Sequence, residues 1–336
     1  MANIKDIAAK AGVSIATVSR ALRQPNLVKE KTAQRIEAAI RDLDYKPNML
    51  AASLRRQKAD AVIIAVPDIA NPFTAAFVQG VENVARDSGT KVLLAITEGR
   101  EDLLDSHYEM VAGKQADGMI LLDLQLPGVL RDRPADAAPL PIVLACEYQD
   151  GSNQPRVRVN DLEAAADAAM HIAQLGHTRI ACISGPANQR MSRDRQRGFR
   201  LGLRRFGLDL PEPMVAGGDY SLLSGVEGAR CLLDRGEPFT ALLCENDEMA
   251  LGAIHAIAAR GLRVPQDISV IGIDDFRFSE FSNPALTTVA LPTTLIGEQA
   301  MRLMLDFGLD ADGACREVIL PHQLVVREST ARPTEG

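Results

Sequence analysis

The sequence predicts two architectures in one chain: a small all-α head, followed by a larger α/β body built on parallel sheets. Small apolar residues recur at helical spacing through roughly the first 45 residues. Residues 1–60 carry twelve lysines and arginines against six acidic residues, although the whole chain has a net charge of −7. From about residue 61, continuous apolar segments alternate with amphipathic ones, which is typical of parallel sheets covered by helices.

The first predicted helix of the head has a single apolar face, formed by Ile4, Ile7, Ala8 and Ala11. Asn3 or a neighbouring residue is placed to cap this helix. Gly12 follows where the chain must reverse, because glycine accepts a positive φ without a Cβ penalty.

A second helix is predicted from about Ile15 to Leu22, with Ser14 as its N-cap. We expect three of its side chains to point inward: Val18, Ala21 and Leu22. The remaining residues then face outward: Ile15, Ala16, Thr17, Ser19 and Arg20.

A third helix from about Glu30 to Leu43 completes the predicted head, with an apolar stripe of Ala33, Ile36, Ala39, Ile40 and Leu43. Three short helices with a tight glycine turn between the first two follow the helix-turn-helix plan. A basic head on an acidic body suits a phosphate-rich partner such as nucleic acid. The alternative for the charge alone is a solvated basic surface.

The body, from about 61 to 330, is too long for one ordinary sheet, so two similar α/β lobes are predicted. Ligands of such folds bind beyond the carboxyl ends of the strands. Those ends are expected at Pro67–Asp68, Asp123, Glu147, Gly185–Pro186, Glu245–Asp247 and Asp274–Asp275. Several of these positions carry carboxylates, so we expect the ligand cleft there.

Other classes of protein are poorly supported by the sequence. No apolar run approaches the ~18–20 residues of a membrane span, and the start MANIKDIAAK lacks the pattern of a secretory signal. The five cysteines and five histidines are not spaced as metal ligands, and no nucleophile elbow, phosphate loop or dinucleotide fingerprint occurs. We therefore expect a cytoplasmic protein that is not an enzyme and uses no cofactor and no metal.

Two separated motifs in the head, IKDIAAKAGVSIATVSRAL and YKPNMLAASLRR, closely resemble the N-terminal region of the LacI/GalR family of bacterial transcriptional regulators. Four body segments agree with the same family: GHTRIACISGP, TALLCENDEMALGAI, GLRVPQDISVIGIDD and NPALTTVALP. The resemblance implies a ligand-responsive, sequence-specific DNA-binding regulator, expected to be a repressor. It would act as a homodimer on pseudo-palindromic, double-stranded DNA operators. The alternative is a solute-binding protein of a transporter, which the body alone would fit.

The resemblance also implies domain boundaries. A helix-turn-helix domain spans 1–46, a hinge helix and linker span 47–60, an effector-binding and dimerisation domain spans 61–330, and a tail spans 331–336. The body would have the fold of periplasmic sugar-binding proteins, with the chain crossing between lobes near Asp161, Pro292 and Leu320. One lobe would hold roughly 61–160 plus 292–320, and the other 161–291 plus 321–330.

For DNA, the resemblance places Ile15 and Ala16 where the family reads bases, and both can touch thymine methyl groups. Arg20 can fork onto guanine or hold a phosphate. Short hydroxyls suited to phosphate oxygens come from Ser14, Thr17 and Ser19, of which the last two have the alternative of plain helix surface. The hinge would contribute Asn48, Ala51, Leu54 and Arg55. Leu54 would wedge into a base step, or else serve as a linker leucine packed on the body.

For the effector, Arg195 and Asp274 match family positions that hold hydroxyl groups, while Phe73 and Tyr220 match aromatic positions flanking the ligand. Further candidates are Glu147 and Asn246 at strand ends, with Gln189 and Met191, where purine-binding members read the base and this chain departs. Simpler alternatives are a helix cap for Asp274, a surface charge for Arg195 and a core position for Phe73. The expected effector is a nucleoside, with a pentose or hexose sugar as the alternative. One further departure is the order Asn160–Asp161, which is Asp-Asn in family members.

Overall fold

A computed structural model describes residues 3–23, 27–45, 58–122, 125–131, 134, 139–148, 153–307 and 316–334. The chain divides into two compact units, the head in residues 1–58 and the body in residues 59–336. The head is all-α, and the body carries two sheets that are almost entirely parallel. The predicted fold class is confirmed.

The described part of the head contains α1 (Ile4–Ala11), α2 (Ile15–Arg23) and α3 (Glu30–Asp42). A capping box starts α1, because the Asn3 side chain accepts from the backbone N–H of Asp6 while the Asp6 carboxylate accepts from the Asn3 backbone N–H. Gly12 ends α1 with φ +60°. Ser14 caps α2 by accepting from the Thr17 backbone N–H at 3.1 Å. The sequence predicted each of these helix ends.

The core of the head is small and consists of Ile7, Ala8, Ala11, Val18, Ile36 and Ala39. Leu22 was predicted to join it but is 38% exposed, so that prediction is wrong. Leu22 lies in the last turn of α2, beyond the few side chains that make up this core. Arg35, by contrast, reaches from α3 to the carbonyl oxygens of Ala11 and Gly12 and ties α3 to the turn.

Strands and helices alternate along the first half of the body. In chain order they are β1 (Ala61–Val66), α4 (Pro72–Ser88), β2 (Lys91–Ile96), α5 (Glu101–Ala112), β3 (Gly118–Leu121), α6 (Gly128–Arg131), β4 (Ile142–Ala145) and β5 (Arg156–Val159).

The second half continues the alternation. Its elements are α7 (Asp161–Gln174), β6 (Ile180–Ser184), α8 (Arg190–Arg204), β7 (Val215–Gly217), α9 (Leu222–Asp234), β8 (Ala241–Cys244), α10 (Asp247–Ala259), β9 (Ser269–Asp274), β10 (Thr287–Ala290), α11 (Thr293–Leu305), β11 (Glu317–Leu320) and β12 (Gln323–Val325).

Each lobe is organised around one six-stranded sheet. The first sheet has the order β11-β5-β4-β3-β1-β2 and the second β12-β10-β9-β8-β6-β7. All described pairings are parallel except β10 with β12, where Thr288 faces Val325 in an antiparallel register. The chain passes from the first sheet to the second between β5 and β6, returns after β10, and passes over again between β11 and β12.

Two helices show how the lobes are assembled from distant parts of the chain. Helix α11 packs on α4 and on strands of the first sheet, while α7 packs on α8 and on strands of the second. The contact of α11 with α4 is close, because a Cβ added at Gly80 would lie 2.0 Å from the Thr294 carbonyl oxygen. Glycine is therefore required at this crossing.

Strand β2 differs from the prediction that both faces of each sheet are covered. It lies at the edge of the first sheet and pairs only with β1 among the described strands. Its apolar side chains remain exposed: Leu93 by 38%, Leu94 by 44% and Ile96 by 42%. The apolar side chains of β2 are therefore not explained by burial within this chain. Among the described helices, none combines the length and apolar character needed to cross a membrane.

Candidate DNA-reading helix and effector cavity

Helix α2 presents the face that the sequence predicted. Ile15 is 45% exposed, Ala16 and Arg20 are also exposed, and Thr17 and Ser19 are half-buried. Val18 on the opposite side is fully buried and anchors the helix in the head core. An apolar pair followed one turn later by an arginine is thus available to a partner.

The hydroxyl groups of α2 are less free than the sequence implied. Ser14 and Thr17 share one hydrogen bond, with 2.8 Å between their side-chain oxygens. Since each hydroxyl has one hydrogen, only one of the two remains for an outside acceptor such as a phosphate. The four predicted hinge residues, Asn48, Ala51, Leu54 and Arg55, lie outside the described residues.

A cavity of about 240 Å³ opens between the two lobes of the body, at the carboxyl ends of strands from both sheets. Its position follows the expectation for parallel α/β folds. Seven of the eight predicted effector residues line it: Phe73, Glu147, Met191, Arg195, Tyr220, Asn246 and Asp274. The eighth, Gln189, is buried and precedes α8 without lining the cavity.

Arg195 is the central charge of the cavity, and it is only 2% exposed. Its Nε lies 2.8 Å from Asp161 Oδ1 and its Nη2 lies 3.7 Å from Asp274 Oδ1. Its Nη1 also donates to the backbone carbonyl of Glu245. Burial lowers the pKa of the guanidinium, but Asp161 and Asp274 outweigh it and raise the pKa above its ordinary value. The reading of Arg195 as a surface charge is therefore wrong.

Burial disfavours the charged form of the two carboxylates around Arg195. Burial raises the pKa of Asp161 and that of Asp274, and Arg195 opposes both shifts. Asp274 ends β9 with φ +126° and begins no helix, so its reading as a helix cap is also wrong. The reversed order of Asn160–Asp161 gains a structural explanation: Asn160 caps α7 by accepting from Glu163, while Asp161 pairs with Arg195.

Tyr220 forms a wall of the cavity and is held from both ends. Asn246 Nδ2 donates to the Tyr220 carbonyl oxygen at 2.9 Å, and the Tyr220 hydroxyl donates to Glu245 Oε2 at 3.2 Å. The aromatic ring lies against Gly185, where an added Cβ would come within 2.2 Å of Tyr220 Cζ. Tyr220 also has φ +71°, an unfavourable conformation for an aromatic residue.

One hydrogen bond crosses directly between the lobes at the cavity. Glu147 follows β4 of the first lobe, and its Oε2 accepts from the backbone N–H of Met191 at 3.1 Å, in the first turn of α8. Burial raises the pKa of Glu147, and this hydrogen bond opposes the shift. Phe73, in the first turn of α4, packs partly on the core while lining the cavity, and its contact with an effector stays a prediction.

Several lining residues were not among the predicted set, notably Asn71, Asp219, Ser221 and Glu248. Asp219 and Ser221 follow β7, a strand of only three residues that gives little periodic signal. Glu248 lies one position beyond the predicted strand end at 245–247. Asp247 itself lies outside the lining: its carboxylate accepts from Ser279 and Thr288 at 2.6 Å each and so braces the second lobe.

Comparison with known proteins agrees with both units. Residues 3–48 match the family described as bacterial regulatory proteins, lacI family, and residues 169–330 match the periplasmic binding protein-like domain. The HTH-type transcriptional repressor CytR of Escherichia coli is 35% identical over 98% of this chain and 96% of its own length. The Escherichia coli ribose operon repressor is 33% identical over 91% of this chain and 92% of its own.

A solved structure extends the agreement to three dimensions. The lac repressor dimer bound to operator and the anti-inducer ONPF superposes with a TM-score of 0.86 and 28% identity, covering 98% of this chain and 99% of that one.

The head, the cavity and these likenesses together define a class of protein: a ligand-responsive, DNA-binding regulator of transcription, and not an enzyme. The chain belongs to the LacI family of bacterial regulatory proteins. The body segments VPDIANPF, LACEYQD, GGDYSLLSG and NPALTTVALP resemble the cytidine repressor of that family, in agreement with the match to CytR. The solute-binding reading is not favoured, because the likeness to repressors includes the head.

Proposed function

We propose that this protein is a repressor that binds a pseudo-palindromic operator as a homodimer and responds to a small neutral effector, a nucleoside or a pentose or hexose sugar. The observation that carries the proposal is the joint presence of an exposed reading helix and an inter-lobe cavity built around buried Arg195. Since chromosomal DNA is the partner, we place the protein in the cytoplasm.

The roles of the head residues follow from α2. Ile15 and Ala16 would touch thymine methyl groups, and Arg20 would supply the main hydrogen bonds to base edges. The three hydroxyls of Ser14, Thr17 and Ser19 would position the helix on phosphates, with Ser14 and Thr17 offering one free hydrogen between them. Hinge residues Asn48, Ala51, Leu54 and Arg55 would add minor-groove contacts.

The dimer is supported by apolar side chains that this chain leaves uncovered. In the first lobe these are Leu93, Leu94 and Ile96 of edge strand β2. In the second lobe they are Leu222 and Leu223 at the start of α9 and Phe278 and Phe281 after β9, with Phe281 79% exposed. Exposed apolar edges and patches are typical of surfaces that another chain covers. A second copy of this chain would bury both sets.

The effector would lie between Arg195 and Asp274 on the polar side and Phe73 and Tyr220 on the aromatic side. A guanidinium with a carboxylate suits vicinal hydroxyls, and an aromatic face suits a base or the apolar face of a sugar. Glu147, Met191 and Asn246 would complete the contacts, with Gln189 supporting the start of α8. Because the cavity is lined from both lobes, ligand binding would favour their closed arrangement.

Effector binding would then change operator affinity through a coupling free energy between the two sites. A coupling of about 2–3 kcal/mol alters affinity roughly 30- to 150-fold.

The DNA-binding part is tested by selecting bound sequences from a random duplex pool with the full-length protein. We expect enrichment of an inverted repeat, with affinity that falls steeply as salt rises. Arg20→Ala should weaken binding to the selected sequence by about 1–3 kcal/mol. Lys10→Ala is the matched control, since Lys10 pairs with Asp42 at 2.9 Å and lies outside the reading face. Enrichment of no sequence, or salt-independent binding, would contradict the proposal.

The effector part is tested by a thermal-shift screen of nucleosides, nucleobases, pentoses and hexoses. A true effector raises the melting temperature progressively once its concentration exceeds Kd. It should also change affinity for the selected operator. A sugar that shifts the protein while every nucleoside is silent would reject the nucleoside and leave the sugar.

A further inference from the structure

The residue that stands behind the cavity wall is Glu245, the position between β8 and α10. It is fully buried, with no exposed surface, and it does not line the cavity. Burying a carboxyl group costs free energy unless the group is hydrogen-bonded or paired with an opposite charge. What surrounds Glu245 is the rear of the two side chains that face the ligand space, Tyr220 and Arg195.

Glu245 contacts both of these residues through different groups. Its carboxylate Oε2 accepts from the Tyr220 hydroxyl at 3.2 Å, and its backbone carbonyl accepts from Arg195 Nη1. The next residue, Asn246, holds the Tyr220 carbonyl oxygen at 2.9 Å. Two consecutive residues at the end of β8 therefore hold Tyr220 at its hydroxyl and at its backbone.

Tyr220 needs such support because its backbone is in the left-handed region, with φ +71°. For a non-glycine residue this conformation is unfavourable and persists only when neighbouring contacts impose it. The hydroxyl has a single hydrogen, and it donates that hydrogen in the hydrogen bond to Glu245. Tyr220 therefore offers the cavity a ring face and no donor while Glu245 is ionised.

We propose that Glu245 is a positioning residue: it holds Tyr220 as a rigid stacking wall, so that the protonation of Glu245 controls effector affinity. The inference deepens the proposed effector site and rests on that site being where the ligand binds. The ionised carboxylate accepts a charge-assisted hydrogen bond from the phenol, which is stronger than the bond to a neutral carboxyl group. Protonation consequently loosens the wall.

The surroundings of Glu245 place this change in the physiological range. Burial raises its pKa to about 7, while the Gly185 backbone, Ser192, Arg195 and Tyr220 oppose the rise. Two further ionisable groups that interact with it are the thiols of Cys182 and Cys244. Burial raises the pKa of both thiols, so they stay neutral. Burial and Glu245 together raise the pKa of Tyr220, so the phenol keeps its proton.

The first test needs no ligand. The chain has four tyrosines and no tryptophan, so its near-ultraviolet fluorescence comes from tyrosines alone. The fluorescence of a phenol is quenched when its hydroxyl is hydrogen-bonded to a carboxylate. In the full-length protein we expect tyrosine emission to rise as the pH falls through about 7. Glu245→Gln and Tyr220→Phe should each abolish this transition. Glu248→Gln, which removes a carboxylate that lines the cavity, is the matched control and should keep it.

Persistence of the transition in Glu245→Gln, or its absence from the unmodified protein, overturns the inference.

The second test measures calorimetric binding of adenosine, cytidine, uridine and ribose across the same pH range. A binder should lose about three- to tenfold in affinity on acidification, and Glu245→Gln should bind it with a flat pH profile. A pH-independent affinity in the unmodified protein also overturns the inference. If none of the four probes binds while the emission transition behaves as expected, these nucleosides and ribose are rejected as effectors and the Glu245–Tyr220 coupling stands.

Discussion

Replacing Arg195 with methionine tests the electrostatic core of the cavity. Methionine is unbranched and apolar and has no charge, so the substitution leaves Asp161 and Asp274 buried without their cation. It also leaves the Glu245 carbonyl without its guanidinium donor. Breaking a buried ion pair by removing one partner costs about 3–5 kcal/mol. For a unit of this size that corresponds to a fall in melting temperature of about 6–20 °C.

The loss should depend on pH in a definite direction. Burial raises the pKa values of Asp161 and Asp274, and Arg195 limits both shifts. Without Arg195 the folded-state pKa values rise further, so the folded variant binds more protons than the unfolded chain. Stability of Arg195→Met should therefore fall more steeply than that of the unmodified protein as pH rises above the ordinary pKa of an aspartate.

The assay is thermal unfolding followed by circular dichroism at several pH values. Arg197→Met in the same helix is the control, because the Arg197 side chain is 69% exposed, and surface changes stay within about 0.5 kcal/mol. Asp161→Asn combined with Arg195→Met should recover part of the lost stability. A melting temperature within about 2 °C of the unmodified protein, or an equal loss at every pH, would refute the reasoning.

Three further predictions concern the fold and assembly. Gly80→Ala places a Cβ 2.0 Å from the Thr294 carbonyl oxygen and should lower thermal stability by about 1–3 kcal/mol; Gly217→Ala, which meets nothing within 4 Å, should be near neutral, and equal effects would contradict the close packing. Phe281→Asp should shift the protein from dimer to monomer in analytical ultracentrifugation, because it places a charge on a side chain 79% exposed in the single chain; Phe206→Asp, at a 44% exposed position outside the proposed interface, should leave the dimer intact, and an intact dimer in both would reject the interface. Val18→Ala should destabilise the small head core by about 1.5–3 kcal/mol and abolish operator binding, measured by fluorescence anisotropy. Effector binding in the body should survive, measured by calorimetry, and loss of both activities together would show that the head is not an independent unit.

Much of the local structure could be predicted because it depends on neighbours in the chain. Asn3, Gly12 and Ser14 set the ends of the first two helices through hydrogen bonds and a backbone conformation that span only a few residues. The apolar strands of the body could likewise be predicted from their composition, and the ends of those strands predicted where the cavity lies. Leu22 was misjudged because periodicity gives the direction of a side chain and not how far the core reaches.

The cavity itself needed the tertiary structure. Sequence likeness selected Arg195, Asp274 and Tyr220 one at a time, but no spacing in the chain indicates that Arg195 is neutralised by Asp161, 34 residues away, or that Glu245 holds Tyr220 from 25 residues away. Strand β2 shows the same limit from the other side, since an apolar sequence cannot say whether its partner is the same chain or another. By itself, the sequence determined the helix caps, the strand and helix order and the class of protein, because these depend on short-range chemistry and on recognisable motifs. Only the tertiary structure decided which charges are paired, which surfaces stay open and which residue stands behind the cavity wall, because burial and pairing arise from contacts between segments far apart in the chain.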